Sequence, residues 1–389
     1  MIQVAWITVS HPGLTTEDSI GDMVRLKTLA GGLRAGGWLV ELITWRDRAK
    51  TRTNTAGSDA GHHGLIHAAM KRIVPRACWN TLKDTSYLRL NRKFYDLLNS
   101  VEVPRPSAII DYNFYLNDAA LRFGRHMGVP VYLNFEGFIF DSMLGPPNSW
   151  LRRFGEAFEM KKYKSVDAIL CVSEPLRDEL NRRMGAAAPP LHVVPNAVDL
   201  SIFRPVEKPD RAVPVVGFVG GLSPWYAIDK LIEVCHSIRT SGTPLRLEII
   251  GDGPERENLH ALVHRLRAAD WCTFTGLIPH DRVNERIAGF DIGVITNHKW
   301  WTSPLKLLEY GAAGLPVIAP AIGSITSMVG GDDLMLFEPE RWDQFHDALL
   351  CLVKDRNRCA VLGARLHQQI AGRYTIDAMS EHLEAILTY

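Results

Sequence analysis

A chain of 389 residues is too long for one ordinary hydrophobic core and suits two domains of roughly 200 residues each. Its composition, 46% hydrophobic and 22% charged with a net charge of +1, is that of a globular protein. A pI of 7.7 argues against a nucleic-acid partner, whose footprint is strongly basic.

The opening "MIQVAWITVS" reads as a core strand, since it has neither a basic leader nor a cleavage site. In chain order, strand 2–9, an amphipathic helix over 23–37 and strand 39–44 come first. Strands at 107–111, 131–135, 168–172 and 192–196 follow, with helical segments between most of them. Composition turns to proline and charge at "RPVEKPDRAVP" (204–214), which reads as a linker. A second series then begins, with strands at 215–220, 246–251, 272–276, 292–296 and 316–320. Short apolar runs alternating with helices predict two doubly wound α/β domains with parallel sheets covered on both faces. We expect the first over 1–205 and the second over 206–373, with a terminal helix over 374–389 packing back on the first. Two such domains on one linker create a cleft, and ligands bind beyond the carboxyl ends of parallel strands. No run of about 18 apolar residues exists, so no transmembrane helix is expected. Six scattered cysteines without a CxxC pair read as thiols of a reducing cytoplasm, where the protein is expected to reside.

Five loops fall at strand ends in the second half, four of them with glycine: "GGLSPWYA" (220–227), "GDGPE" (251–255), "GLIPHD" (276–281), "NHKWWTSPLK" (297–306) and "AIGSI" (321–325). Glycine lets backbone approach a ligand and leaves amides free. In "KWWTSPLKLLEYGAAGLPVIAP" (299–320), Ser303 suits a helix N-cap and Pro304 the first helical position. The amides of Leu305 and Lys306 would then form an anion site. Leu305, Leu308 and Ala312 share the face expected in the core. Lys306 sits at the positive end of the helix dipole, where a cation is disfavoured unless an anion lies beside it. A diphosphate would supply that charge, and Glu309, a turn deeper, could accept hydrogen bonds from ribose hydroxyls. The alternative is an intrahelical Lys306–Glu309 pair on a solvated face.

"SPLKLLEYGAAGLPVIAP" resembles the nucleotide-sugar signature of the family-4 retaining glycosyltransferases, which have the GT-B fold. Segments 166–180, 193–205, 216–234, 247–259 and 274–283 resemble family segments in the expected order. The resemblance is close over about 165–325 and loose before 160. It implies that Glu309 matches the second glutamate of the E-x7-E motif, which binds the donor ribose. Pro304, Leu305 and Lys306 match the segment whose amides hold donor phosphate and sugar. Leu277 and Ile278 match positions cradling the base, where Gly253 is also placed. Gly21 matches the first-strand loop that approaches phosphate and sugar, with Ile20 replacing a usual glycine. The departures are as informative. Trp301 stands where the first glutamate, a contact to sugar hydroxyls, is expected. Gly221 and Tyr226 stand where the family has its phosphate-binding arginine and lysine. Lys306 is therefore the cation left to face the leaving diphosphate. A subgroup with tryptophan and SPLK shares this pattern.

In many family members a histidine follows the strand after a "vPvv" run; here the position falls at Glu136, with Asn134 on the same strand face. A carboxylate there could orient the acceptor or take its proton. Asp111, Asn113 and His11 are further acceptor-side candidates. Residues 46–93 hold 11 Lys/Arg against 3 Asp. They read as a solvated loop beside the acceptor site, or as a contact to an anionic membrane or a phosphorylated acceptor. "GHHG" (61–64) lacks further metal ligands at useful spacing, and no metal or other cofactor is expected. The resemblance implies transfer of a sugar, with retention, from a UDP-, GDP- or dTDP-sugar to a small-molecule, saccharide or lipid acceptor. The two alternatives are a nucleotide-sugar epimerase and a non-catalytic nucleotide-sugar-binding partner of another transferase.

Overall fold

All six residues of the first strand, Val4–Val9, are buried, so it is covered on both faces as a central parallel strand must be. The computed structural model describes residues 3–12, 14, 21–47, 75–138, 149–206, 211–279 and 282–387. They form two compact units, one holding the residues up to Val194 together with those from Ser380, the other Pro195–Met379. The calls on "GHHG" and on most of the basic stretch 46–93 lie outside the described residues.

In the first unit the order is β1 (Val4–Val9), α1 (Gly21–Ala35), β2 (Leu39–Thr44), α2 (Arg76–Asn99), β3 (Ala108–Tyr112), α3 (Ala119–Met127), β4 (Val131–Phe135), α4 (Arg152–Tyr163), β5 (Ala168–Cys171), α5 (Glu174–Met184) and β6 (Leu191–Val193). The strands form one parallel sheet in the order β2-β1-β3-β4-β5-β6. The direction of winding reverses between β1 and β3, which opens a crevice at their carboxyl ends. Local signals agree with the elements. Gly128 closes α3 in the left-handed region at φ 64, and the Ser173 side chain accepts from the Leu176 amide to start α5.

The second unit runs β7 (Val215–Val219), α6 (Ile228–Thr240), β8 (Arg246–Ile250), α7 (Arg256–Arg265), β9 (Cys272–Gly276), α8 (Val283–Ile287), β10 (Ile292–Val294), α9 (Leu305–Ala312), β11 (Val317–Pro320), α10 (Gly323–Thr326), β12 (Met335–Phe337), α11 (Trp342–Lys354) and α12 (Arg356–Arg373). A last helix, α13 (Ile376–Leu387), begins in this unit and ends in the first. The sheet order is β12-β11-β10-β7-β8-β9, all parallel, with its switch point between β7 and β10. The doubly wound parallel-sheet expectation holds for both halves. The edge strand β12 was not expected, because three residues are too few to show a period of two.

Alternation along β7 sorts its side chains. Val216 and Phe218 enter one core cluster with Ile232 and Phe345, while Val215 and Val219 pack on the other with Tyr310 and Ile370. The glycines between are steric requirements: a Cβ on Gly217 would fall 1.9 Å from the Phe290 ring, and one on Gly293 2.7 Å from Tyr310. Tyr310 accepts from the Val219 amide at 2.9 Å, which pins α9 across the end of β7. The chain enters the second unit ahead of the proline-rich stretch. Val198 bridges to Thr375 and Phe203 is buried in the second core, so residues after 195 already belong there. Among the described residues no helix is long and apolar enough to cross a membrane.

Candidate active site

The loops after β7, β8 and β9 are laced together by backbone. Gly220 N donates to Ile250 O (2.9 Å), Leu222 N to Asp252 O (3.0 Å), Glu255 N to Leu222 O (2.9 Å) and Gly251 N to Gly276 O (3.0 Å). Gly251 has φ +137, and a Cβ there would lie 1.9 Å from Gly220 O. Gly253, expected near the base, has a steric reason of its own. Its missing side chain makes room for the Leu222 backbone, at 2.5–2.8 Å from an added Cβ, and its amide is taken by Asp252 Oδ1 at 2.8 Å. Gly221 is different, because an added Cβ meets only Asp252 O at 4.0 Å. Leu277, 76% exposed, presents a bare apolar surface at the end of β9, while Ile278 packs against the core.

Helix α9 starts one residue later than the sequence suggests. Pro304 is its N-cap, and the Pro304 carbonyl accepts from the amides of Leu307 (3.1 Å) and Leu308 (3.4 Å). The amides of Leu305 and Lys306 stand ahead of that ladder. Ser303 is therefore not the cap. It is fully buried, its hydroxyl accepting from Asn196 N (3.1 Å) and its carbonyl from Asn196 Nδ2 (2.6 Å). Leu307, not the half-exposed Leu305, fills the core with Leu308 and Ala312.

Lys306 has a partly exposed stem and a buried ammonium that makes no hydrogen bond. Its Nζ lies 4.6 Å from the centre of the Phe218 ring and 4.3 Å from that of Tyr226. A Cβ on Gly220 would sit 2.9 Å from it. Burial pushes this amine down to about 8, opposed by the charge of Glu309. Glu309 is 6% exposed, which removes the solvated-face alternative. The switch point between β7 and β10 thus holds a buried cation with no acceptor.

Around it, Trp301 packs edge-on against Trp300 (5.2 Å) with the Lys299 ammonium 5.6 Å above its ring. Asn297 Nδ2 holds the Trp225 carbonyl at 3.0 Å, joining the loops after β7 and β10. Trp225 and Trp300 are exposed.

In the first unit, Glu136 follows β4 and both its oxygens are engaged, Oε2 by Arg25 at 2.7 Å and Oε1 by Asn134 Nδ2 at 3.2 Å. Arg25, on α1, carried no signal in the sequence. Gly21 opens that helix. His11 packs edge-on against Phe114 (4.9 Å) across the β1/β3 switch point. Asp111, an acceptor-side candidate, is 3% exposed and accepts from Thr8 Oγ1 at 2.7 Å. Burial raises its carboxyl to about 7, against the Lys162 charge and the Thr8 hydrogen bond. Asn113 Nδ2 donates to Tyr163 Oη at 3.2 Å. Beneath these residues a buried Glu159–Lys162 pair (2.8 Å) anchors the loop after β3, Lys162 donating to Phe114 O and Leu116 N to Glu159 Oε1, each at 2.8 Å. Among the described residues no group of three His, Cys, Asp or Glu is placed to hold a metal.

Each unit is a doubly wound parallel sheet with a switch point at its carboxyl ends, and in the second the loops there gather glycine backbone, a buried cation and exposed aromatics. Residues 23–197 match the glycosyl transferase 4-like domain and 201–369 the glycosyl transferases group 1. The two matches follow one another along the chain, so it is similar to glycosyltransferases over most of its length. It is 28% identical over 345 residues to a GDP-mannose-dependent alpha-mannosyltransferase of Mycobacterium tuberculosis, covering 84% of this chain and 83% of that one. The matches to other curated relatives span 23% to 66% of those proteins' length. Its fold is that of sucrose-phosphate synthase from Thermosynechococcus elongatus (TM-score 0.75, 16% identity, 100% and 98% of the two chains). It is also that of Anabaena HepE solved with UDP (TM-score 0.68, 14% identity, 100% of each chain).

Proposed function

We propose that the protein is a glycosyltransferase. It moves a sugar, with retention at the anomeric carbon, from a nucleoside-diphosphate donor held by the second unit to an acceptor oriented by the first. The observation that carries this reading is the Lys306 ammonium, buried at the β7/β10 switch point without an acceptor. A cation in that state is costly unless the functional state brings an anion to it, and a departing diphosphate is such an anion. Lys306 and the first amides of α9 would stabilise the charge that develops on the leaving group, so the reading includes no resident metal. Glu309, one turn on, would meet the ribose, and Leu277 and Ile278 the base. Glu136, fixed by Arg25 and Asn134, would orient the acceptor. The GDP-mannose dependence of one relative and the UDP held by one structural neighbour support a nucleotide-sugar donor.

A thermal-shift screen of UDP, GDP and dTDP tests the reading. We expect one diphosphate to stabilise the protein by about 2–3 kcal/mol at a hundredfold excess over its Kd. Lys306→Ala and Glu309→Ala should remove most of that stabilisation. Binding by both variants at wild-type strength would sink the site assignment. Release of that diphosphate from its sugar conjugate only when an acceptor is present, with a glycoside as product, then separates transfer from epimerisation or bare binding.

A further inference from the structure

The turn carrying Tyr226 is held more firmly than a solvated loop requires. Pro224–Tyr226 form a single 3-10 turn, Ala227 follows in the left-handed region at φ 47, and Asn297 ties down the Trp225 carbonyl. What this turn presents to the site is the face of the Tyr226 ring, 4.3 Å from Lys306 Nζ. Phe218, buried at the end of β7, presents a second ring at 4.6 Å, and the two rings stand at 67° to each other. The open side is backbone, where Gly220 has no side chain to obstruct the amine.

Aromatic faces attract a cation without neutralising it. A carboxylate in the same place would accept the ammonium's hydrogen bonds and cancel its field, leaving little for a ligand. Glu309, the charged group that acts on this amine, does so without hydrogen-bonding it. The amine is thus fixed in position with its hydrogen bonds unspent, which is the preorganisation a charged leaving group calls for. Resting on the reading of this site as the donor site, we propose that Tyr226 and Phe218 are positioning residues that hold Lys306 as the donor-phosphate cation. The charge expected from the β7 loop is then delivered from α9, and position 226 lies close enough for a lysine there to take the role back.

The assignment is tested by calorimetric binding of UDP, GDP, dTDP and their parent nucleosides to four proteins: wild type, Tyr226→Leu, Lys306→Leu and the double variant Tyr226→Lys/Lys306→Leu. Donor KM and kcat are measured alongside. Lys306→Leu should weaken the preferred diphosphate by about tenfold or more, as expected for loss of a charge-assisted contact. Tyr226→Leu should weaken it by roughly three- to tenfold, in line with one cation–π contact. In both, affinity for the parent nucleoside should stay at the wild-type value, which a merely structural defect would not spare. The double variant should recover at least half of the loss, on a logarithmic scale, seen in Lys306→Leu. Equal loss of nucleoside and diphosphate in Tyr226→Leu, or a double variant no better than Lys306→Leu, would overturn the proposal while leaving the donor site intact. A wild-type protein that binds none of the three diphosphates would instead overturn the reading on which it rests.

Discussion

Burial of the Lys306 amine has opposite consequences for the empty and the occupied protein. In the folded chain it titrates near 8, against an ordinary value of 10.5. Between those values the unfolded chain binds the extra proton, so this group makes stability rise with pH across that window. A shift of that size corresponds to roughly 3 kcal/mol at 1.36 kcal/mol per unit. Lys306→Met should accordingly be more stable than wild type at pH 7, with the gap closing by pH 10 in denaturant unfolding. Diphosphate affinity should run the other way, falling as pH rises past about 8, because the neutral amine must first take up a proton. A gap independent of pH would show that the amine is solvated. At this scale the sequence was legible where a residue broke a local rule, as a cation at a helix start does. It was silent about Phe218 and Arg25, and showed Tyr226 only as a replacement for a lysine, because their contacts depend on elements that the fold brings together. The burial of Asp111 was hidden because a strand-end carboxylate looks exposed in sequence. Register instead sets Asp111 beside Thr8 inside the sheet.

In the second unit Gly251 and Gly253 are required by the backbone of the neighbouring loop, whereas Gly221 is not. The loops after β7 and β8 touch through backbone at Gly220–Gly251 and Leu222–Gly253. Gly251→Ala meets both a φ of +137 and a Cβ 1.9 Å from Gly220 O, so it should destabilise by at least ~2 kcal/mol in chemical denaturation. Gly221→Ala meets open space and should stay within about 0.5 kcal/mol of wild type. Equal effects of the two would mean that these loops are not interlocked. Strands buried on both faces were readable as short apolar runs bounded by glycine and proline, which is why β1, β4 and β7 stood out. The three-residue β12, Met335–Phe337, sits between acidic residues and carries no alternation to detect. The start of α9 was misplaced because Ser-Pro is a common opening. Here the serine is drawn inward by Asn196, a partner whose distance in sequence hides it.

Each unit has its own six-stranded sheet, and the second encloses a core on either face. They should therefore unfold as separate cooperative blocks. The terminal helix α13 supplies Leu383, Ile386 and Leu387, all buried, and this part of it belongs to the first unit. There Ser380 and Glu384 also pack close against Gly36 at the end of α1. Leu383→Ala creates a cavity expected to cost about 2–5 kcal/mol. For units of this size that lowers the first unit's transition by roughly 4 °C or more. A bound nucleoside diphosphate should act on the other block alone. At a hundred times its Kd it adds about 2.7 kcal/mol, moving the second unit's transition up while the first stays in place. Scanning calorimetry of the full chain with and without ligand, on wild type and Leu383→Ala, separates the two effects. Two peaks, one moved by the ligand and the other by the substitution, would assign donor binding to the second unit. One peak moved by both would show that the units unfold together.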